Sequence, residues 1–350
     1  MAIIDKSTDY FRIKLYTGNN NAQTIAWDET DTNMKPDMLW IKSYAGNTVF
    51  EHVLGNIVSG ANTYTVSNST AAEASNSNVI RAFNTNGFEV GGATQVSEGG
   101  RSYVAWGWKA SNTTATNTAG SINSTVSVNA AAGFSIVKVS KANTSVATIG
   151  HGLGVTPKFI IGKDLDGVDN WTCYNEALGN GKGIYLNATN AEATASTFWN
   201  STSPTSTLFT IGSDNTWNSP SIVFYCFADV PSFSKFGSYT GNGNADGPFI
   251  YTGFKPAFII QKRSDSAHDW QLHDNKRGQY FPGNVVNNRI EPNANNAEGT
   301  GDDIGYDFLS NGFKTRTSNA NYNASGSVYI YMAFAENPFV TSTGVPATAR

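Results

Sequence analysis

The chain has 350 residues, and at roughly 100–200 residues per domain that length predicts two or three domains. Hydrophobic residues make up 39% and aromatics 12%, enough to bury real cores and to exclude global disorder. Only 14% is charged, the formal net charge is −4, and the 23 Lys and Arg are spread thinly, which excludes the electrostatic footprint of a nucleic-acid-binding protein.

The chain opens Met1-Ala-Ile-Ile-Asp-Lys-Ser7, with no basic stretch ahead of an apolar one, so no signal peptide and no secretion are expected. No apolar run approaches the ~18 residues of a membrane span, and no membrane insertion is expected. The first repeat then presents Leu15-Tyr-Thr-Gly-Asn19 and a Pro-led apolar strand, Lys35-Pro-Asp-Met-Leu-Trp-Ile-Lys42. A polar segment follows, Asn68-Ser-Thr-Ala-Ala-Glu73, then Phe83-Asn-Thr-Asn-Gly-Phe88 and an aromatic closing strand, Tyr103-Val-Ala-Trp-Gly-Trp108. The stretch from Ser111-Asn-Thr-Thr-Ala-Thr-Asn-Thr-Ala-Gly120 onward has the composition of a linker.

The anchors recur in the same order. The Pro-led strand returns as Thr156-Pro-Lys-Phe-Ile-Ile-Gly-Lys163 and Lys255-Pro-Ala-Phe-Ile-Ile-Gln-Lys262. The polar segment returns as Asn187-Ala-Thr-Asn-Ala-Glu192 and Asn293-Ala-Asn-Asn-Ala-Glu298, the closing strand as Ile222-Val-Phe-Tyr-Cys-Phe227 and Tyr329-Ile-Tyr-Met-Ala-Phe334. Pro and Glu are 37, 35 and 42 residues apart, and Pro and the last aromatic 72, 70 and 78. Ser238-Tyr-Thr-Gly-Asn242 and Phe308-Leu-Ser-Asn-Gly-Phe313 tie the third repeat to the first; the second, with His151-Gly-Leu-Gly154 ahead of its Pro strand, is the most diverged.

These spacings divide the chain into repeats at 1–110, 133–231 and 232–340, a linker at 111–132 and a tail at 341–350. The strands are short, β-branched or aromatic, and bounded by turn residues. No apolar stripe of helical period exceeds two turns; each Ala-Glu segment is expected to form a single helical turn. The expected fold class is all-β: three tandem, diverged antiparallel β-sandwich domains of jelly-roll-like type. The closing strands are apolar on both faces, Val328, Ile330, Met332 and Phe334 on one and Tyr329, Tyr331, Ala333 and Ala335 on the other. Each is therefore expected to lie centrally, between an opposing sheet and a neighbouring domain or subunit. Cys173 and Cys226 lie in apolar runs and are expected as buried free thiols.

Candidate chemistry is sparse. Asp164-Leu-Asp-Gly-Val-Asp169 has its Gly and third Asp misplaced for a calcium loop, and a hairpin turn explains it better. His268-Asp-Trp-Gln-Leu-His-Asp274 is the densest cluster of ligand-type residues. In an extended strand its two His point to opposite faces and cannot share a metal. A structural aromatic strand is the first reading. The second is a sugar-contact patch formed by Asp269, Trp270, His273 and Asp274, where an indole stacks on a sugar and the others supply hydrogen bonds. Asp302 and Asp303 read as a solvated loop, since a glycosidase pair is held about 5–10 Å apart across a cleft. Gly241-Asn-Gly-Asn-Ala-Asp-Gly247 precedes a strand rather than a helix and lacks phosphate-cradling geometry. No nucleophile elbow, P-loop or zincin motif occurs. An enzyme, a cofactor and a metal are not expected.

Met1-Ala-Ile-Ile-Asp-Lys-Ser-Thr-Asp-Tyr-Phe11, Pro36-Asp-Met-Leu-Trp-Ile-Lys42, Phe233-Ser-Lys-Phe-Gly-Ser-Tyr-Thr-Gly-Asn242 and Tyr329-Ile-Tyr-Met-Ala-Phe-Ala-Glu-Asn-Pro-Phe339 carry a resemblance. It runs over nearly the whole chain, to tail-fibre-like structural proteins of marine bacteriophages, cyanophages and pelagiphages among them. The resemblance implies a virion location and a structural or host-recognition role, and carries no catalytic residue with it. The chain lacks the shaft and heptads of a long fibre, so a short tail fibre or fibre tip is expected, attaching to host-surface glycan or protein. An architectural capsid decoration or a tail or baseplate adaptor is the alternative, and a polysaccharide depolymerase the remote one. Expected partners are other virion proteins and further copies of the chain, with a homotrimer the usual fibre solution.

Overall fold

In each repeat the strand carrying the most aromatic residues becomes the middle of a sheet. The closing strand Ser102–Trp108 lies between a lead strand, Phe11–Thr17, and the Pro strand Met38–Ala45, and pairs antiparallel with both. The closing strand Ser219–Phe227 lies likewise between Phe134–Lys141 and Phe159–Asp164, and Val328–Pro338 between Ser234–Thr240 and Phe254–Arg263. The register matches: Trp108 faces Met38, Phe227 faces Phe159 and Phe334 faces Phe258, each two residues after the Pro. A return strand then pairs with each Pro strand, Val53–Asn56, Thr172–Asn175 and Gln271–Asp274. The structure, a computed structural model, describes residues 3–45, 50–277, 285–301, 305–341 and 343–345.

Proline shapes the start of each Pro strand because it cannot donate to a ladder. Pro36 and Pro157 stand just ahead of their strands, whereas Pro256 lies inside Phe254–Arg263, where the register shifts on either side of it.

A second sheet covers one face of each of these inner sheets. It comprises Gln23–Ala26, Gly87–Val90 and Ile80–Asn84 in the first repeat, Ala147–Gly150 and Leu208–Ile211 in the second, and Phe249–Tyr251, Gly312–Thr315, Tyr306–Leu309 and Val285–Val286 in the third. The chain is thus all-β, built of antiparallel sandwiches. The strand order departs from a jelly roll, because each return strand forms a plain hairpin with its Pro strand within one sheet. Segment 111–132, expected as a linker, carries strands Ala115–Asn117 and Ser124–Asn129, which extend the second inner sheet beyond Phe134–Lys141. Its Thr and Ser suit an edge strand with one wet face, while Val126 points into the core. Of the tail expected at 341–350, only 341 and 343–345 lie within the described residues.

The Ala-Glu segments are not helical. Single helical turns occur instead at Thr94–Ser97 and Ala320–Asn323, just ahead of their closing strands, and at Ser196–Trp199, ahead of the outer strand Leu208–Ile211. In the first and third repeats a tyrosine clamps that turn. The Tyr103 hydroxyl donates to Thr94 O and accepts from Glu98 N; the Tyr329 hydroxyl does the same with Ala320 O and Ala324 N. Ile222 holds the equivalent position in the second repeat and cannot do this.

Each sandwich buries its own apolar cluster. Phe88, Val90 and Tyr103 belong to the first, Phe209, Trp217 and Phe224 to the second, Phe313, Tyr329 and Tyr331 to the third. The opposite faces of the three inner sheets meet in a fourth, larger cluster. Ile330, Met332 and Phe334 enter this shared core while Tyr329, Tyr331, Ala333 and Ala335 enter the sandwich core, so the two-faced closing strand has an opposing sheet on one side and neighbouring repeats on the other. Phe334 stacks on Phe11 of the first repeat, with centroids 5.2 Å apart, and meets Phe227 of the second edge-on at 5.9 Å. The two cysteines are free and buried, and burial raises both thiols, so neither is a ready nucleophile.

Candidate functional site

Three of the four residues expected as a sugar-contact patch, Trp270, His273 and Asp274, are buried. Trp270 is 1% exposed and His273 and Asp274 are 0% exposed, so no receptor can reach them. Trp270 and Leu272 point into the shared core, while His273 points the other way, against Tyr306 and Tyr322. Strand alternation placed these side chains on opposite faces correctly. It could not show that both faces are covered. Asp269 is half-buried and accepts from Asn293 Nδ2 at 2.7 Å.

What these residues build is one of three seams between repeats. Trp270 Nε1 donates to Tyr185 O of the second repeat at 2.8 Å. Trp171 Nε1 donates to Val66 O of the first repeat at 2.9 Å. His52 Nε2 meets Glu291 O of the third at 3.1 Å. His52 Nδ1 accepts from Trp40 Nε1, which can only donate, so the imidazole proton sits on Nε2 and points at Glu291 O. Burial holds His52 well below the usual histidine range, and it is neutral. A neutral histidine thus performs the donor task that indole performs at the other two seams.

The Asn that opens each polar segment locks the same strand from its own side. Asn68, Asn187 and Asn293 each accept, through Oδ1, the backbone N–H of His52, Trp171 and Trp270, at 3.0, 2.8 and 2.8 Å. The Glu that ends each segment docks by its backbone N–H onto the next repeat: Glu73 on Leu165 O, Glu192 on Ser264 O and Glu298 on Tyr44 O, at 2.8, 2.7 and 2.9 Å. That donation consumes the N–H that a helical turn would have used, and explains why no helix forms there.

The Lys that ends each Pro strand is wholly buried. Lys42 Nζ donates to Ser43 O, Phe50 O and, across the seam, Asn295 O. Lys163 Nζ donates to Asp164 O, Gly167 O and, across its seam, Thr70 O. Lys262 Nζ donates to Arg263 O and Ser266 O, and the cross-seam carbonyl of Thr189 is taken by His268 N instead. Desolvation pulls all three ammonium groups down, Lys42 to about 7 and Lys262 to about 8. The second repeat docks on the first, the third on the second and the first on the third. The contacts therefore close a ring.

A final set of equivalents shows partner chemistry choosing the residue. Asn56, Asn175 and Asp274 each cap a turn through Oδ1, and the remaining side-chain atom faces a neighbour's closing strand. Asn56 Nδ2 donates to the Tyr225 hydroxyl at 3.0 Å. Trp106 can only donate, and at that seam the residue is Asp274, whose Oδ2 accepts at 3.1 Å and also binds Arg277 Nε at 2.7 Å. The equivalent of Tyr225 in the third repeat is Met332, and Asn175 Nδ2 is left without a partner. Arg277 bridges on to Glu298, whose carboxyl burial raises.

Asp164 Oδ1 accepts the N–H groups of Asp166 and Gly167, the hairpin turn expected there. Asp302 and Asp303 lie outside the described residues. Among the described residues no group of three or more His, Cys, Asp or Glu is placed to hold a metal ion, and no helix is long and apolar enough to cross a membrane. Sequence reasoning passed over one exposed feature, the aromatic pair Phe249 and Tyr251. The sequence carried a signal for it: Ser238-Tyr-Thr-Gly-Asn242 aligns the third repeat with the first, and no aromatic residue follows at the matching distance after Asn19.

Fold and seams together define an all-β repeat protein in which three sandwiches lock into a closed ring around one shared core. A family described as a domain of unknown function, DUF7483, matches residues 6–338, and the chain belongs to it. No curated protein and no solved structure matches the chain.

Proposed function

We propose that this chain is a non-catalytic structural component of a bacteriophage particle, a short tail fibre or fibre tip that attaches the particle to the host surface. The closed ring of three alike seams carries the reading. A ring of three like units offers a threefold-matched face to a homotrimeric neighbour, the usual construction of a fibre, and its other surfaces stay free to present loops. The sequence resemblance to tail-fibre-like proteins of marine phages points the same way. In this reading the partners are other virion proteins on one face and a host glycan or protein on the other.

The ring would serve equally as an architectural adaptor or capsid decoration with no receptor, and position on the particle separates the two. Antibodies raised against the recombinant chain, applied to purified particles of the phage that encodes it, should decorate the free end of the tail in electron micrographs. Label spread over the capsid would replace attachment with architecture. Unlabelled particles, with the chain absent from their protein content, would overturn both.

A further inference from the structure

The outer sheet of each repeat has a strand with a buried isoleucine at the matching place: Ile25, Ile149 and Ile250, paired with Phe88, Phe209 and Phe313. The residues flanking that isoleucine are Thr24 and Ala26 in the first repeat and Thr148 and Gly150 in the second. In the third they are Phe249 and Tyr251, 44% and 62% exposed. In the second repeat that strand is covered, with Ile122 bridging Ile149 and the Asn117 side chain lying against Gly150; the first repeat keeps small residues there, and the third sets two aromatic rings on the surface. Contiguous exposed aromatic area marks a contact surface.

Both rings lie along backbone. Phe249 Cζ is 2.9 Å from where a Cβ on Gly312 would stand, and the Tyr251 hydroxyl 3.5 Å from where one on Gly253 would stand. Tyr251 also borders a cleft of about 380 Å³, within the ~300–1,000 Å³ common for small-molecule sites. Polar groups converge on it. Asp229 is ion-paired with Lys235, whose ammonium has further donors to offer. Ser232 Oγ and Ser234 Oγ give their protons to Val340 O and Ala228 O, which leaves their lone pairs to accept.

We propose that Phe249, Tyr251 and this cleft form a glycan-binding site for a pyranose ring. The apolar C–H face of the sugar stacks on Tyr251, a neighbouring residue of the glycan reaches Phe249, and hydroxyl groups pair with Lys235, Asp229 and the two serine oxygens. The site names the ligand class for the attachment reading, and rests on that reading for its biological purpose.

The test uses the full chain on an array of neutral and N-acetylated hexopyranosides, followed by saturation-transfer NMR with the strongest ligand. Tyr251→Ala and Phe249→Thr install residues that the first repeat carries at the same positions, so the fold persists. Tyr251→Ala should weaken binding about tenfold and Phe249→Thr less, while Val168→Ala, at an exposed apolar residue of another repeat, should leave it unchanged. Equal affinity in Tyr251→Ala, or no pyranoside retained, overturns the site. Array binding lost with Tyr251, in a chain that labels no particle, keeps the site and removes the attachment reading. Tail-end label with no pyranoside retained does the reverse.

Discussion

An ammonium group sealed from water needs carbonyls in place of its hydration shell. Lys42 has three, and its pKa still falls to about 7. The unfolded chain keeps that proton up to about pH 10.4. Between about pH 7 and 10 the unfolded chain binds more protons, so Lys42 and Lys262 make stability rise with pH across that window. Three of the four histidines act on the acid side. His52, His151 and His273 are buried and lowered, His273 to about 3, and each takes up a proton on unfolding as pH falls through about 6.5. Asp37, raised to about 6 by burial, runs the other way between about pH 6 and 4, and the raised Asp169 and Glu298 share its direction, but the histidines begin to act at a higher pH than these carboxyls. The thermal midpoint is therefore expected to peak at about pH 10 and to drop on acidification from about pH 7 to 5. Lys42→Met strands three carbonyls, should cost about 1–3 kcal/mol, and should flatten the alkaline rise. An unchanged slope in scanning calorimetry of that variant would show that Lys42 does not titrate there.

At the scale of elements, position 274 gives a prediction that repeat comparison alone would reverse. Asn stands at the two equivalent positions, yet Asp274→Asn should cost about 3–5 kcal/mol in urea unfolding. It turns an N–H toward the Trp106 N–H and removes the carboxylate from Arg277. A loss under about 1 kcal/mol would mean that the amide finds another arrangement. The strands themselves were legible. A proline, a run of β-branched or aromatic residues and a closing aromatic strand mark them, and both faces of the closing strand read as covered. The Ala-Glu segments were legible as a repeat but misread as helical turns, because their backbone partners belong to another repeat, far off in the chain. Thr- and Asn-rich residues 111–132 read as a linker, because an edge strand with one wet face needs few apolar residues to announce it. The patch at Asp269–Asp274 misled for a related reason: alternation assigns side chains to faces, and only the assembled ring shows which face meets water.

At the scale of the whole molecule, the shared core makes the three sandwiches depend on one another. Phe334 touches aromatic rings from all three, so Phe334→Ala removes one side of each contact and should cost about 3–5 kcal/mol. The wild type is expected to unfold in one transition, with calorimetric and van't Hoff enthalpies equal, and the variant to shift that transition without splitting it. Two resolved transitions, or a native-like isolated 133–231 fragment, would show that the sandwiches stand alone.

That all three repeats of the ring sit on one chain has a consequence for how such a surface can change. In an assembly of three identical chains, one altered codon appears three times, and a residue that suits one contact must suit all. Here each copy is spelled separately. At the seam of the first and third repeats histidine replaces tryptophan and aspartate answers an indole, and in the third repeat a pair of aromatics stands where the sibling repeats keep threonine with alanine or glycine. A new specificity can be written on one sector while the other two go on holding the frame.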